Sequence, residues 1–162
     1  NGELNRANNT NGNIGVNANK QSSKGVDFNF NVGMGLTNEA NSIQSDLNNT
    51  AFRSSTNADL KYFLPLKFSL TQVIYYSYTG KTKVFPEPIQ QFYMNLELTR
   101  KLLKSEALLR SLKAFDVFNS FNNTTRSSSN SSFSETQQEM LSQYLMVGLK
   151  WDFNKNLGKK NE

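Results

Sequence analysis

The chain has neither His nor Cys, so the groups that could do acid–base chemistry are its carboxylates. Glu87, Glu97, Glu106, Asp116, Glu135 and Glu139 stand at irregular intervals. No two share a spacing that would set a general acid beside a base. Without His or Cys there is no Ser-His-Asp or Cys-His nucleophile, no thiolate or imidazole zinc site and no disulfide. Asp46, Asn48 and Asn49 carry oxygen ligands close together, but the Gly-hinged ligand series of a calcium loop is missing. Gly33 and Gly35 sit inside an alternating apolar segment with no helix after them, which is wrong for a phosphate cradle and right for small residues on a strand. The expectation is a protein that is not an enzyme and holds no metal or cofactor.

The elements that position these residues are read from composition and period. Asn, Ser, Thr and Gln account for 60 of the 162 residues, yet there are 12 Phe, 6 Tyr and 1 Trp. Disordered segments lack aromatics, so this mixture points to β-structure with polar loops. The net charge of +5 is scattered apart from Arg100, Lys101 and Lys104, so there is no basic stripe for nucleic acid. No apolar run is long enough for a transmembrane helix.

From Val26 to Leu36 the even positions are Val26, Phe28, Phe30, Val32, Met34 and Leu36, while the odd positions are polar or Gly. Eleven such residues extend about 35 Å, enough to cross a bilayer core when tilted. The same period runs through Ile14–Ala18, Phe52–Tyr62, Leu66–Tyr78, Phe92–Leu98 and Leu141–Phe153. Leu108–Phe118 alternates less well, because Arg110 falls on the face of Leu108, Leu112 and Ala114; a strand is expected there, with an amphipathic helix as its rival. The reading is therefore an all-β, antiparallel transmembrane β-barrel segment of about seven strands over residues 1–153, followed by a polar tail, 154–162.

Connections alternate in length. Short ones are expected at Gln21–Lys24, around Pro65 and at Lys101–Ser105; long, solvated ones at Asn38–Thr50, Thr79–Gln91 and Asn119–Glu139. Short turns on one side and long loops on the other is the organisation of an outer-membrane barrel. Seven strands do not close in the usual even-numbered way, and open edges are costly in lipid. The expectation is the C-terminal piece of a larger barrel, with residues 1–11 as the end of an external loop. Tyr62, Tyr76, Tyr78, Phe92, Trp151 and Phe153 are candidates for the aromatic girdles at the two membrane interfaces. The alternative is a secreted or cell-surface soluble β-sandwich that serves as an adhesion module.

Two motifs carry a family resemblance. Val147-Gly148-Leu149-Lys150-Trp151-Asp152-Phe153 resembles the C-terminal strand signal read by barrel-assembly machinery, with Gly148, Trp151 and Phe153 as its anchors. It departs from that signal at Met146, a position usually polar, and in the residues that follow Phe153. Leu112–Asn119, ending in Asp116-Val117-Phe118-Asn119, resembles the penultimate-strand motif of TonB-dependent-receptor-like barrels. Together they look like the C-terminal region of a Gram-negative outer-membrane β-barrel protein. The resemblance implies a receptor or transporter for an external solute, located in the outer membrane. It also implies a plug domain and earlier strands upstream, and partners that include membrane lipid, the assembly machinery and an inner-membrane energy-coupling complex.

Overall fold

The computed structural model describes residues 4, 6–43, 45, 48–103, 106–128, 133–139, 141 and 143–152. Strands β1 (Ala7–Lys20), β2 (Val26–Asn41), β3 (Asn49–Leu64), β4 (Phe68–Thr79), β5 (Ile89–Leu102) and β6 (Leu108–Phe115) follow in order. A small hairpin, β7 (Thr124–Ser128) and β8 (Phe133–Gln137), precedes β9 (Tyr144–Trp151). Seven strands form one antiparallel sheet in the order β1-β2-β3-β4-β5-β6-β9, and β7 pairs only with β8. The sheet does not close: β1 and β9 are its edges.

The register explains why the two-residue period survives across the sheet. Ala18 pairs with Phe30, Phe30 with Ala58, Ala58 with Ile74 and Ile74 with Met94. Leu98 pairs with Leu112, and Leu112 with Val147. Apolar side chains thus meet apolar side chains on one face. One step away, Asn17, Asn31, Asn57, Tyr75 and Tyr93 form a row on the other face. A one-residue slip anywhere would invert this, so the pattern fixes the register.

No second layer covers the apolar face among the described residues. Ile14, Leu145, Val147 and Leu149 are 70–75% exposed, and among the described residues the only buried hydrophobic ones are Ala51, Ala58 and Ile89. A soluble sandwich needs a second sheet about 10 Å away to bury such a face, so the sandwich alternative does not hold. The core is inverted: the solvent for the apolar face is lipid.

Several boundaries differ from the sequence expectation, most of them for one reason. Polar side chains in this chain extend ladders as well as loops. β1 starts at Ala7 and pairs Asn8–Asn11 with Thr37–Ala40, so these residues are strand and not the end of a loop. β2 and β3 run on past the apolar region, with the Thr50 hydroxyl donating to Asn38 Oδ1 at 3.1 Å. This reduces the Asn38–Thr50 loop to residues 42–48, and the Thr79–Gln91 loop shrinks to 80–88. Lys101 belongs to β5, and the last strand begins at Tyr144, not Leu141. Leu108–Phe115 is a strand, so the helix rival fails.

The short connections are tight. In the β3–β4 turn, Phe68 N–H donates to Pro65 O at 3.3 Å, with Leu66 and Lys67 at φ of 58° and 62°. Two successive left-handed residues make a primed turn, whose twist matches that of the flanking strands. Leu and Lys are unusual there, since Asn-Gly would adopt it without the Cβ penalty.

Candidate functional site

The polar face is a wall of amide, hydroxyl and charged side chains with several clusters of hydrogen bonds. Asn19 donates to Asn17 Oδ1 (3.2 Å), Asn31 to Asn29 Oδ1 (3.4 Å) and Asn29 to Asp59 Oδ2 (3.5 Å), and Asn17 also donates to Asn31. Farther along, Ser69 and Thr99 share a hydrogen bond of 2.6 Å, Ser77 donates to Gln91 Oε1 at 3.1 Å, and Glu97 meets Lys113 at 3.2 Å. Aromatic rings interrupt the wall near the long loops. Tyr75 stacks on Tyr93 at 5.1 Å, Phe121 meets Tyr93 edge-on at 5.4 Å, and Phe115 stacks on Tyr144 at 4.3 Å. Amide and hydroxyl groups beside half-buried rings can hold a polar solute with apolar patches.

Over one end of this wall lies the β7–β8 hairpin. The Arg126 guanidinium sits 4.7 Å from the centre of the Phe85 ring, donates to Glu135 Oε2 and reaches the backbone oxygen of Glu87. Phe133 meets Phe85 edge-on at 6.4 Å, and Gln91 donates to Thr124 O at 3.1 Å. Between hairpin and wall remains a cavity of about 30 Å³, lined by Glu39, Asn49, Arg53, Phe85 and Arg126 among others. That is room for a water or two. The hairpin is a correction to the expectation of one open loop over Asn119–Glu139. Its signal in the sequence was faint because Ser, Thr and Asn serve both loops and exposed ladders.

Three of the carboxylates that showed no telling spacing are paired with cations across strands or loops: Glu97 with Lys113, Glu106 with Lys67 and Lys101, and Glu135 with Arg126. Asp116 is only 3% exposed. It accepts hydrogen bonds from Ser120 N–H at 3.1 Å and Phe121 N–H at 3.0 Å, while its own N–H donates to Asn95 Oδ1 at 2.9 Å. Asp116 and Asn119 have φ of 43° and 51°, a region that Asp and Asn tolerate better than most residues. The Asp116–Asn119 motif is thus a turn that ends β6 and folds the long loop back. Asp46 lies outside the described residues. Asn48 is engaged by Asn41 N–H at 2.6 Å, and no cation cage forms from what is described.

At the short-turn side Glu106 lies between Lys101 Nζ (2.9 Å) and Lys67 Nζ (3.3 Å), joining the β3–β4 and β5–β6 connections. Hydrogen bonds first from Lys101 and then from Lys67 hold its carboxyl below the usual carboxylate range. A carboxylate lowered on folding adds stability above its unfolded value, near 4.3, and loses it as pH falls through the lower folded value. The Glu106 titration, followed by NMR, is expected below that of a free Glu. The double substitution Lys67→Gln/Lys101→Gln should return it to normal; an unchanged midpoint in that variant would refute the bridge.

Of the candidate girdle residues, Tyr76, Tyr78 and Phe92 lie on the apolar face near the long loops. Tyr76 is paired with Phe92, and Tyr78 is 6.1 Å from Phe52. Tyr62 and Trp151 lie on the same face at the short-turn ends of β3 and β9. Gly148 faces the polar side opposite Ser111, where an added Cβ would come within 2.5 Å of the Ser111 hydroxyl. Phe153 lies outside the described residues.

An antiparallel single-layer sheet with an uncovered apolar face, a polar wall behind it, and short turns opposite long loops defines an outer-membrane β-barrel protein. The chain belongs to the outer membrane protein beta-barrel family, which it matches over residues 3–151, and its place is the outer membrane. No curated protein and no solved structure matches it.

Proposed function

We propose that the chain forms the C-terminal strands of a receptor or transporter barrel of the TonB-dependent-receptor-like kind, which captures an external solute for uptake. The observation that carries this reading is the hairpin seated by Arg126 over a wall of amides, hydroxyls and ring faces, on the long-loop side. An adhesin would present such a hairpin outward; here it covers the wall. The Asp116–Asn119 turn adds support through its resemblance to the penultimate-strand motif. The two unpaired sheet edges fit a larger barrel whose remaining strands lie outside residues 7–151. Barrel-assembly machinery would then read Gly148, Trp151 and Phe153, and an inner-membrane complex would supply energy.

The test is depletion of solutes from a defined mixture by cells with and without the protein, each with and without a protonophore. Energised cells that carry the protein are expected to deplete one chemical class, and the protonophore should abolish this. Equal depletion in both strains would overturn uptake, and depletion indifferent to the protonophore would overturn energy coupling.

A further inference from the structure

The basic cluster at Arg100, Lys101 and Lys104 is divided by the strand period. Lys101 turns to the polar face and pairs with Glu106, whereas Arg100 lies on the apolar, lipid-facing side. There it pairs directly with Arg110 of β6, the residue whose position disturbed that strand's alternation. Two cations directly opposed across a ladder repel each other, with Cβ atoms about 5 Å apart. The Arg100 guanidinium lies 4.8 Å from the centre of the Phe68 ring, and the outward neighbours are Leu98, Leu102, Leu108, Leu112 and Leu149. No acidic side chain lies on this side of the pair among the described residues: Glu97 and Glu106 are held by lysines of the polar face and the turns.

Depth decides what neutralises the pair. Along β5 the outward residues run from Gln90 through Phe92, Met94, Leu96 and Leu98 to Arg100. Those ten residue steps, at about 3.4 Å each and a tilt of about 40°, rise roughly 26 Å, matching the ~25 Å apolar band of a barrel. Arg100 therefore stands at the lower limit of that band, beside the short turns and on the side of the leaflet that faces the periplasm. Trp151, paired with Leu108, lies just below it at the same border. Planar guanidinium groups bind phosphate through paired N–H donors.

We propose that Arg100 and Arg110 form a binding site for the phosphate of an anionic glycerophospholipid in the periplasm-facing leaflet. The headgroup phosphate bridges the two guanidinium groups, and the acyl chains lie on Leu98, Leu112 and Val147. The site relieves the cross-strand repulsion and fixes the vertical position of the barrel. It does not depend on which solute the barrel handles.

The test is native mass spectrometry of the whole protein, purified from outer membranes and exchanged into mixed micelles. The micelles contain equal amounts of phosphatidylglycerol and phosphatidylethanolamine. The wild type is expected to retain phosphatidylglycerol preferentially. Arg100→Gln/Arg110→Gln should lower that retention about tenfold or more, with folding verified by heat-modifiable mobility. Arg100→Lys/Arg110→Lys should keep the lipid preference in part, so the idea stays testable if the Gln variant does not fold. Lys61→Gln/Lys113→Gln removes the same charge from the polar face and should leave retention unchanged. Equal loss in that control, no lipid preference in the wild type, or displacement of the lipid by millimolar inorganic phosphate would overturn the proposal.

Discussion

Replacing Asp116 by Ala is expected to destabilise the protein by about 3–5 kcal/mol, because two backbone donors lose a charged acceptor in a buried place. The carboxylate holds Ser120 N–H and Phe121 N–H, one on each oxygen. The loss would spread. Val117 N–H reaches Met94 O at 2.9 Å, and the Ser120 hydroxyl reaches Phe92 O at 2.9 Å, so the turn also ties the long loop to β5. Asp116→Asn keeps the shape and the tolerance for a positive φ, but its amide can accept from only one of the two donors. It should lose about 1–3 kcal/mol. Urea midpoints in lipid vesicles measure both, and protease cutting within residues 116–143 should rise in the same order. A midpoint for Asp116→Ala within error of the wild type would show that the cap contributes nothing.

The second large effect is a contrast between neighbours. Ile74 pairs with Ala58 and Met94 on the apolar face, and Val73 pairs with Asp59 and Asn95 on the polar face. Arg at Ile74 stands near the middle of β4 with hydrocarbon around it, and should cost about 2–4 kcal/mol. Arg at Val73 points to the polar wall beside Asp59 and should cost less than about 1 kcal/mol. The same urea titration compares them. Equal costs would refute the contrast between the faces, and a greater cost at Val73 would mean that their assignment is inverted.

These faces were legible because a strand reports its environment with a period of two, and most of this chain's strands keep it. Even the exceptions are informative. Gln72 falls on the apolar face and donates to Met94 Sδ at 2.9 Å, which satisfies one donor within the sheet. Arg110 looked like a misfit in one strand; only the register shows that it stands opposite Arg100. The polar pairings were not legible, since Lys67 and Glu106 are separated by two strands, and so are Phe85 and Arg126. Pairs like these are set by which turns come side by side, and no local spacing announces it. The hairpin β7–β8 was hidden for a different reason. Its exposed strands have no apolar face to give them a period.

Neighbour-only pairing also has a consequence for how the sheet is made. Every strand from β2 to β6 joins the one before it through a connection of no more than nine residues, whereas β9 must find β6 across residues 116–143. The entropy of closing a loop rises slowly, about 0.6 kcal/mol per doubling of length. That last step therefore carries only a small extra thermodynamic cost. Its rate is more sensitive, because distant partners must meet before their contacts give any return. Two local structures shorten the search. The Asp116 turn sends the chain back over β5, and the β7–β8 hairpin gathers the middle of the loop into one unit. On contact separation alone, the pairings from β1 to β6 are local, and the pairing of β9 with β6 is expected to be the slowest step in forming this sheet.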